Sequence, residues 1–131
     1  MILYFSLPLV PKSKKNSRPI YKTKAGKMFI GKSKQLVEHA RELEHRIRSQ
    51  KINFYSLGVP IAGPVRLIDV NFYFKGKQRL DLDNMLATLF DALQDAEVIK
   101  NDKQIIGISQ VTVIENNKTG DATTFGLEAL N

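Results

Sequence analysis

"VRLIDVNFYFKGKQRLDLDNMLATLFDAL", residues 65–93, changes its hydrophobic period midway. Ile68, Val70, Phe72 and Phe74 alternate with Asp69, Asn71 and Tyr73, the period of two that buries one face of a β-strand. Beyond the polar KGKQR, the apolar residues fall at Met85, Leu86, Leu89, Phe90 and Leu93, the stripe of an amphipathic helix. A strand over 65–74 followed by a helix is therefore predicted.

The flanking sequence supplies further elements. Ile2 to Leu7 favours a strand, ended by Pro8 and Pro11. Residues 12–30 read as an exposed basic arm, mobile without a ligand, with a hairpin from Pro19 to Ile30 turning at Ala25-Gly26. Ser33 is placed to cap a helix to about Ser49, because Leu36, Ala40, Leu43 and Ile47 share one face. Glu42 and Arg46, like Glu44 and Arg48, stand at the favourable i,i+4 spacing on that helix. Its two histidines, His39 and His45, fall on opposite sides and read as surface residues rather than ligands. "GISQVTVIE" (107–115) and "TTFGLEAL" (123–130) are predicted strands joined through "NNKTGD" as an antiparallel hairpin. This order predicts an α+β fold in one small domain, residues 1–131, with a mixed, mostly antiparallel sheet and two main helices packed on it.

The chain of 131 residues contains no cysteine, which removes disulfides and thiolate metal sites and leaves carboxylates as the metal ligands. The opening "MILYFSLPLVPK" lacks a preceding basic segment and a small-residue cleavage site, so it reads as strand rather than leader. No stretch approaches the roughly 18 consecutive apolar residues of a membrane span, and a cytoplasmic protein without a membrane partner is expected.

The net charge of +7 is unevenly spread. Residues 1–37 hold nine Lys or Arg and no acid, whereas residues 38–131 hold eleven bases and thirteen acids. Lys12, Lys14, Lys15, Arg18, Lys22, Lys24 and Lys27, interleaved with Ser, Asn, Tyr and Gly, form the main part of a predicted phosphate-binding segment, and Arg79 adds a further cation.

Against this basic background, Asp81 and Asp83 stand one residue apart where the second helix begins. If strand geometry persists to them, both carboxylates leave one face, with Cα atoms roughly 6.5–7 Å apart, and an oxygen-only site for Mg²⁺ or Mn²⁺ results. Asp83 also has an ordinary reading as a helix N-cap; Asp81 has none. An EF-hand is excluded, since Met85 and Leu86 occupy the positions of its fifth ligand and its glycine. Asp91 lies about 12 Å along the helix from Asp83, too far to share an ion. Asp102 can return to the pair only along an extended path.

"RLDLDNMLATLFDALQDAEVIKNDKQI", residues 79–105, resembles the signature of the RusA-type Holliday junction resolvases. "PLVPKSKKNSRPI" (8–20) and "GKMFIGKSKQL" (26–36) are similar to that family's basic arm and helix start. The resemblance implies a Mg²⁺-dependent endodeoxyribonuclease, with Mn²⁺ as a possible substitute, that cleaves four-way junctions as a homodimer. It implies Asp81, Asp83 and Asp102 as the catalytic, metal-binding acids, and Asn84 as their structural or supporting neighbour. One departure stands out: the family's lysine six residues after the first aspartate is here Ala87. A non-catalytic nucleic-acid-binding relative, or a nuclease for another branched DNA or RNA, are the alternatives.

Overall fold

The computed structural model describes residues 2–12, 20–22, 28–30, 34–51, 59–78 and 80–130. Strand β1 (Ile2–Leu7) pairs antiparallel with β7 (Ala122–Ala129), and β7 pairs antiparallel with β4 (Val65–Tyr73). On the other edge of β4 lie β5 (Ile105–Ile108) along its first half and β6 (Val111–Ile114) along its second, both parallel to it. Strands β2 (Ile20–Lys22) and β3 (Met28–Ile30) form a separate antiparallel ribbon, as predicted; its turn lies outside the described residues, as does Ser33.

Helices α1 (Lys34–Lys51) and α2 (Leu82–Asp95) cover one face of the sheet. In β1 the alternation places Leu3, Phe5 and Leu7 in the core, where Phe5 stacks on Phe125 with ring centroids 5.0 Å apart. α1 contributes Leu36, Leu43 and Ile47 to this core, and α2 contributes Met85, Leu89 and Leu93. The two ion pairs expected on α1 form, Glu42–Arg46 at 3.8 Å and Glu44–Arg48 at 2.9 Å. None of the described helices is long and apolar enough to cross a membrane.

Two expectations need correction. The first concerns Ile68, predicted to share the buried face of Val70, Phe72 and Phe74. Val65 and Leu67 are buried, then Val70 and Phe72, so the inward parity changes across Ile68 and Asp69. Asp69 adopts a φ of 49°, and the pairing with β7 is interrupted between Ile68 and Asn71. One extra residue in a strand flips every later side chain to the other face. The break between β5 and β6 falls opposite the same point, where Ser109 N–H donates to the Leu67 carbonyl at 2.9 Å and Val70 N–H to the Gln110 carbonyl at 3.0 Å.

The second correction concerns β6 and β7, which do not form a hairpin, because β4 lies between them. Their connection wraps the end of β4 instead: Asn116 N–H donates to the Gly76 carbonyl and Asn117 N–H to the Phe74 carbonyl, at 3.0 and 2.8 Å.

Turned to the outer face, Ile68 stands in one cross-strand row with Gly126 and Tyr4. A Cβ at Gly126 would lie 2.7 Å from Ile68 Cγ1 and 3.1 Å from Tyr4 Cε1. Gly126→Ala is therefore expected to destabilise the fold by about 1–3 kcal/mol, the range for overpacking. Urea unfolding measures this, and adding Ile68→Val should recover part of the loss.

Candidate active site

β4 ends at Tyr73 and the chain bends at Lys75-Gly76, so Asp81 and Asp83 do not leave the end of a strand. Asp81 is instead the N-cap of α2 (φ −70°, ψ 133°), and its carbonyl accepts the Met85 N–H at 3.0 Å. Asp83 lies inside the first helical turn, which corrects its reading as the cap. Local polarity explains why the helix starts here, since carboxylates complement the partial positive charge of its N-terminus. Yet the Asp81 side chain makes no capping bond. Its Oδ2 accepts from Asn84 Nδ2 at 3.1 Å, and both aspartates are exposed.

One turn further on, Thr88 connects this corner to the basic arm. Its hydroxyl proton has two acceptors, the Asn84 carbonyl at 2.9 Å and the Lys12 carbonyl at 3.0 Å. Lys12 N–H in turn donates to His39 Nε2 on α1, at 3.1 Å. The first basic residue of the chain is thus clamped between the two helices, about 6 Å along α2 from Asn84. Sequence reasoning missed both positioning groups. Thr88 falls outside the predicted apolar stripe of Met85, Leu86, Leu89, Phe90 and Leu93, yet is only 5% exposed. His39 was expected at the surface and is half-buried. A lone hydroxyl beside an apolar stripe was the available signal, and solvent-facing threonines look the same. Of the other predicted phosphate contacts, Lys14, Lys15, Arg18, Lys24, Lys27 and Arg79 lie outside the described residues, and Lys22 is described in its backbone alone.

Burial lowers the His39 pKa, and the Lys12 charge lowers it further, against smaller opposing effects of Glu42 and a hydrogen bond with the Val10 backbone. The clamp needs the neutral ring, because an imidazolium has no acceptor for the Lys12 N–H. With the folded pKa below the unfolded value of about 6.5, the unfolded state binds the proton more readily. The clamp's contribution is therefore complete above that value and lost as pH falls below it. Between pH 7 and 5, wild-type protein should lose more unfolding free energy than His39→Gln, whose amide oxygen accepts without titrating. Equal losses would sever the clamp from this histidine.

Asp102 opens a short 3₁₀ turn (Asp102–Gln104) after α2. Its N–H donates to Gln94 Oε1 at 3.0 Å, and the turn is fixed by Gln104, whose Nε2 donates to the Ile61 and Gly63 carbonyls at 2.7 and 2.8 Å. Buried Val98 and Ile99, the latter bridged to Ile61, hold the chain at the C-terminal end of the helix. Gln94 lies eleven residues beyond Asp83, about 16 Å along α2. Asn84 thus meets Asp81, with Asp83 in the same first turn of α2, whereas the Asp102 backbone is held by Gln94 toward the other end of the helix. Among the described residues, no group of three or more His, Cys, Asp or Glu side chains could hold a metal. Two carboxylates have the chemistry of a Mg²⁺ site that keeps several waters. Lys100 and Lys103, both exposed, flank Asp102, and Ala87 presents only a methyl group to solvent.

The family model for endodeoxyribonuclease RusA matches residues 8–120, a span that contains the arm, both aspartates and Asp102. A crossover junction endodeoxyribonuclease RusA from Aquifex aeolicus (strain VF5) is 34% identical over 122 residues, covering 90% of this chain and 84% of that protein. With Lys12 held between the helices one turn from Asn84, an exposed Asp81 and Asp83 at the start of α2, and a match of this extent, the chain belongs to the RusA family of endodeoxyribonucleases.

Proposed function

We propose that the protein is a Holliday junction resolvase of recombination and repair, hydrolysing phosphodiester bonds in four-way DNA junctions. Asp81, Asp83 and Asp102 are its acids, Mg²⁺ its ion and Mn²⁺ a substitute. The observation that carries this reading is Asp81: an exposed carboxylate at a helix N-cap that forms no cap, one turn from the root of a basic arm. A divalent ion supplies the positive charge that polarises a scissile phosphate and acidifies an attacking water. The chain's own residues position that chemistry. Asn84 orients the Asp81 carboxylate, and the unpaired N–H groups of the first turn of α2 favour a phosphate alongside. Lys12, held by Thr88 and His39, starts an arm that grips phosphates without reading sequence. A homodimer suits the substrate, since a two-fold protein presents two identical centres to the opposed strands of a nearly two-fold junction.

A panel of labelled four-way junction, flap, linear duplex and RNA tests the substrate class. Paired nicks in the junction with the duplex left intact are expected; equal cutting of the duplex would sink the structure-selective reading. A second reading, a junction-binding relative without catalysis, is favoured by Ala87, where the resemblance leads one to expect a lysine.

A further inference from the structure

Two loops interlock where β4 ends. One, residues 74–78, leads from β4 toward α2; the other, residues 115–121, joins β6 to β7. Asn116 and Asn117 bind the first loop through their backbone N–H groups. In return, Lys75 N–H donates to Asp121 Oδ1 at 2.8 Å and Gln78 N–H to Glu115 Oε2 at 2.6 Å. The second loop is also braced from within. Gly120 N–H donates to the Asn117 carbonyl at 3.1 Å, closing a turn over Lys118 and Thr119. Asn117 Nδ2 donates to Thr119 Oγ1 at 3.0 Å and to the Gly120 carbonyl at 2.7 Å, and Asn116 and Gly120 adopt positive φ values of 57° and 102°. The first loop reaches the aspartates, because Gln78 Nε2 donates at 2.6 Å to the carbonyl of Leu80, the residue before Asp81.

These loops carry three lysines, Lys75, Lys77 and Lys118, and two acids, Glu115 and Asp121. Each acid accepts from a backbone N–H of the facing loop, and none of the three lysines forms an ion pair with a described acid. All three lysines are exposed. Ammonium groups without a counter-ion, carried on a braced backbone, suit a chain of phosphates.

We propose that the interlocked loops are a second DNA contact, additional to the basic arm, in which Lys75, Lys77 and Lys118 hold phosphates of the strand to be cut. The inference rests on the nuclease reading of Asp81 and Asp83. DNA is the fitting partner because the surface is continuous with those acids: through Gln78 and Leu80, a phosphate held by the loops is held in register with Asp81. The arm joins α2 separately, through Lys12 and Thr88. Its cations add affinity, whereas the braced loops turn affinity into position.

Binding and cleavage by the full chain test this. Junction affinity is measured between 50 and 200 mM salt for wild type, for Lys118→Ala, and for Arg41→Ala, whose exposed side chain on α1 changes net charge equally. Lys118→Ala should lower the salt slope by about one, and Lys75→Ala/Lys77→Ala/Lys118→Ala by about three, while Arg41→Ala leaves it unchanged. A wild-type slope in the triple variant, or equal slopes for Lys118→Ala and Arg41→Ala, overturns the contact and leaves the nuclease reading standing. If wild type neither binds nor cuts a junction, the nuclease reading fails and the loop contact falls with it. Glu115→Ala tests the register. On charge alone, removing an acid beside phosphate favours binding, but freeing the Gln78 backbone should lower kcat by about ten- to a hundredfold. Glu115→Gln keeps an acceptor for that N–H and should retain the wild-type kcat. A Glu115→Ala protein that binds more tightly and cuts as fast as wild type overturns the register.

Discussion

Asp81→Asn is expected to reduce junction cleavage by roughly a thousandfold or more, the equivalent of losing about 4 kcal/mol of transition-state stabilisation. The same substitution should leave the fold intact. Asp81 is exposed and its side chain forms no capping bond, so no interaction worth the usual ~1 kcal/mol of an N-cap is removed. Asn84, which donates to its carboxylate, can donate equally to the amide oxygen of asparagine. Unfolding free energy should therefore stay within about 0.5 kcal/mol of wild type, as for ordinary surface substitutions. Binding of the junction should persist or tighten, because a negative charge facing phosphate is removed. Cleavage, electrophoretic mobility and urea unfolding of one preparation read all three. Joint loss of cleavage and stability would return Asp81 to a structural role.

The second large effect is on affinity. The proposed phosphate-binding surface is the arm, with seven cations and no acid in residues 12–30 and Lys12 rooted between the helices. If six to ten of its contacts reach phosphate, affinity for a junction should fall by about 10³–10⁵ between 50 and 200 mM salt. Each of Lys14, Lys15, Arg18, Lys22, Lys24 and Lys27 replaced by Ala should weaken binding evenly across sequences and lower the salt slope by about one. Thr88→Val tests the root separately: it keeps the shape, removes the bond to the Lys12 carbonyl, and should weaken binding with the slope unchanged. A salt slope near zero would mean that the arm does not hold DNA.

Much of this molecule is legible in its residues because burial imposes periods. Leu3, Phe5 and Leu7 alternate in β1, and Leu36, Leu43 and Ile47 recur along α1; a buried face requires both patterns. The shift at Ile68 and Asp69 was not legible, since an apolar residue followed by an acid satisfies either parity until a partner strand fixes the register. Pairing of β6 with β7 looked favourable from the turn residues between them, but strand neighbours are chosen by long-range burial, and β4 inserts between the two. The aspartate pair was visible as chemistry but misplaced as geometry. Asp81 stands at the N-cap of α2 and Asp83 in its first turn, because the chain bends at Lys75-Gly76 instead of continuing β4. The position of Asp102 depends on where Val98 and Ile99 sink into the core, which the number of residues after the helix does not determine.

The proposed function requires this chain to cut four-way junctions with a carboxylate-held divalent metal. It is tested most directly by incubating wild-type protein with a synthetic junction in Mg²⁺, in Mn²⁺ and in excess EDTA, and resolving the strands on a denaturing gel. Nicks in both opposed strands with either metal, and none with EDTA, are the expected result. Tight binding without a single nick, in either metal and at every protein concentration, would contradict it.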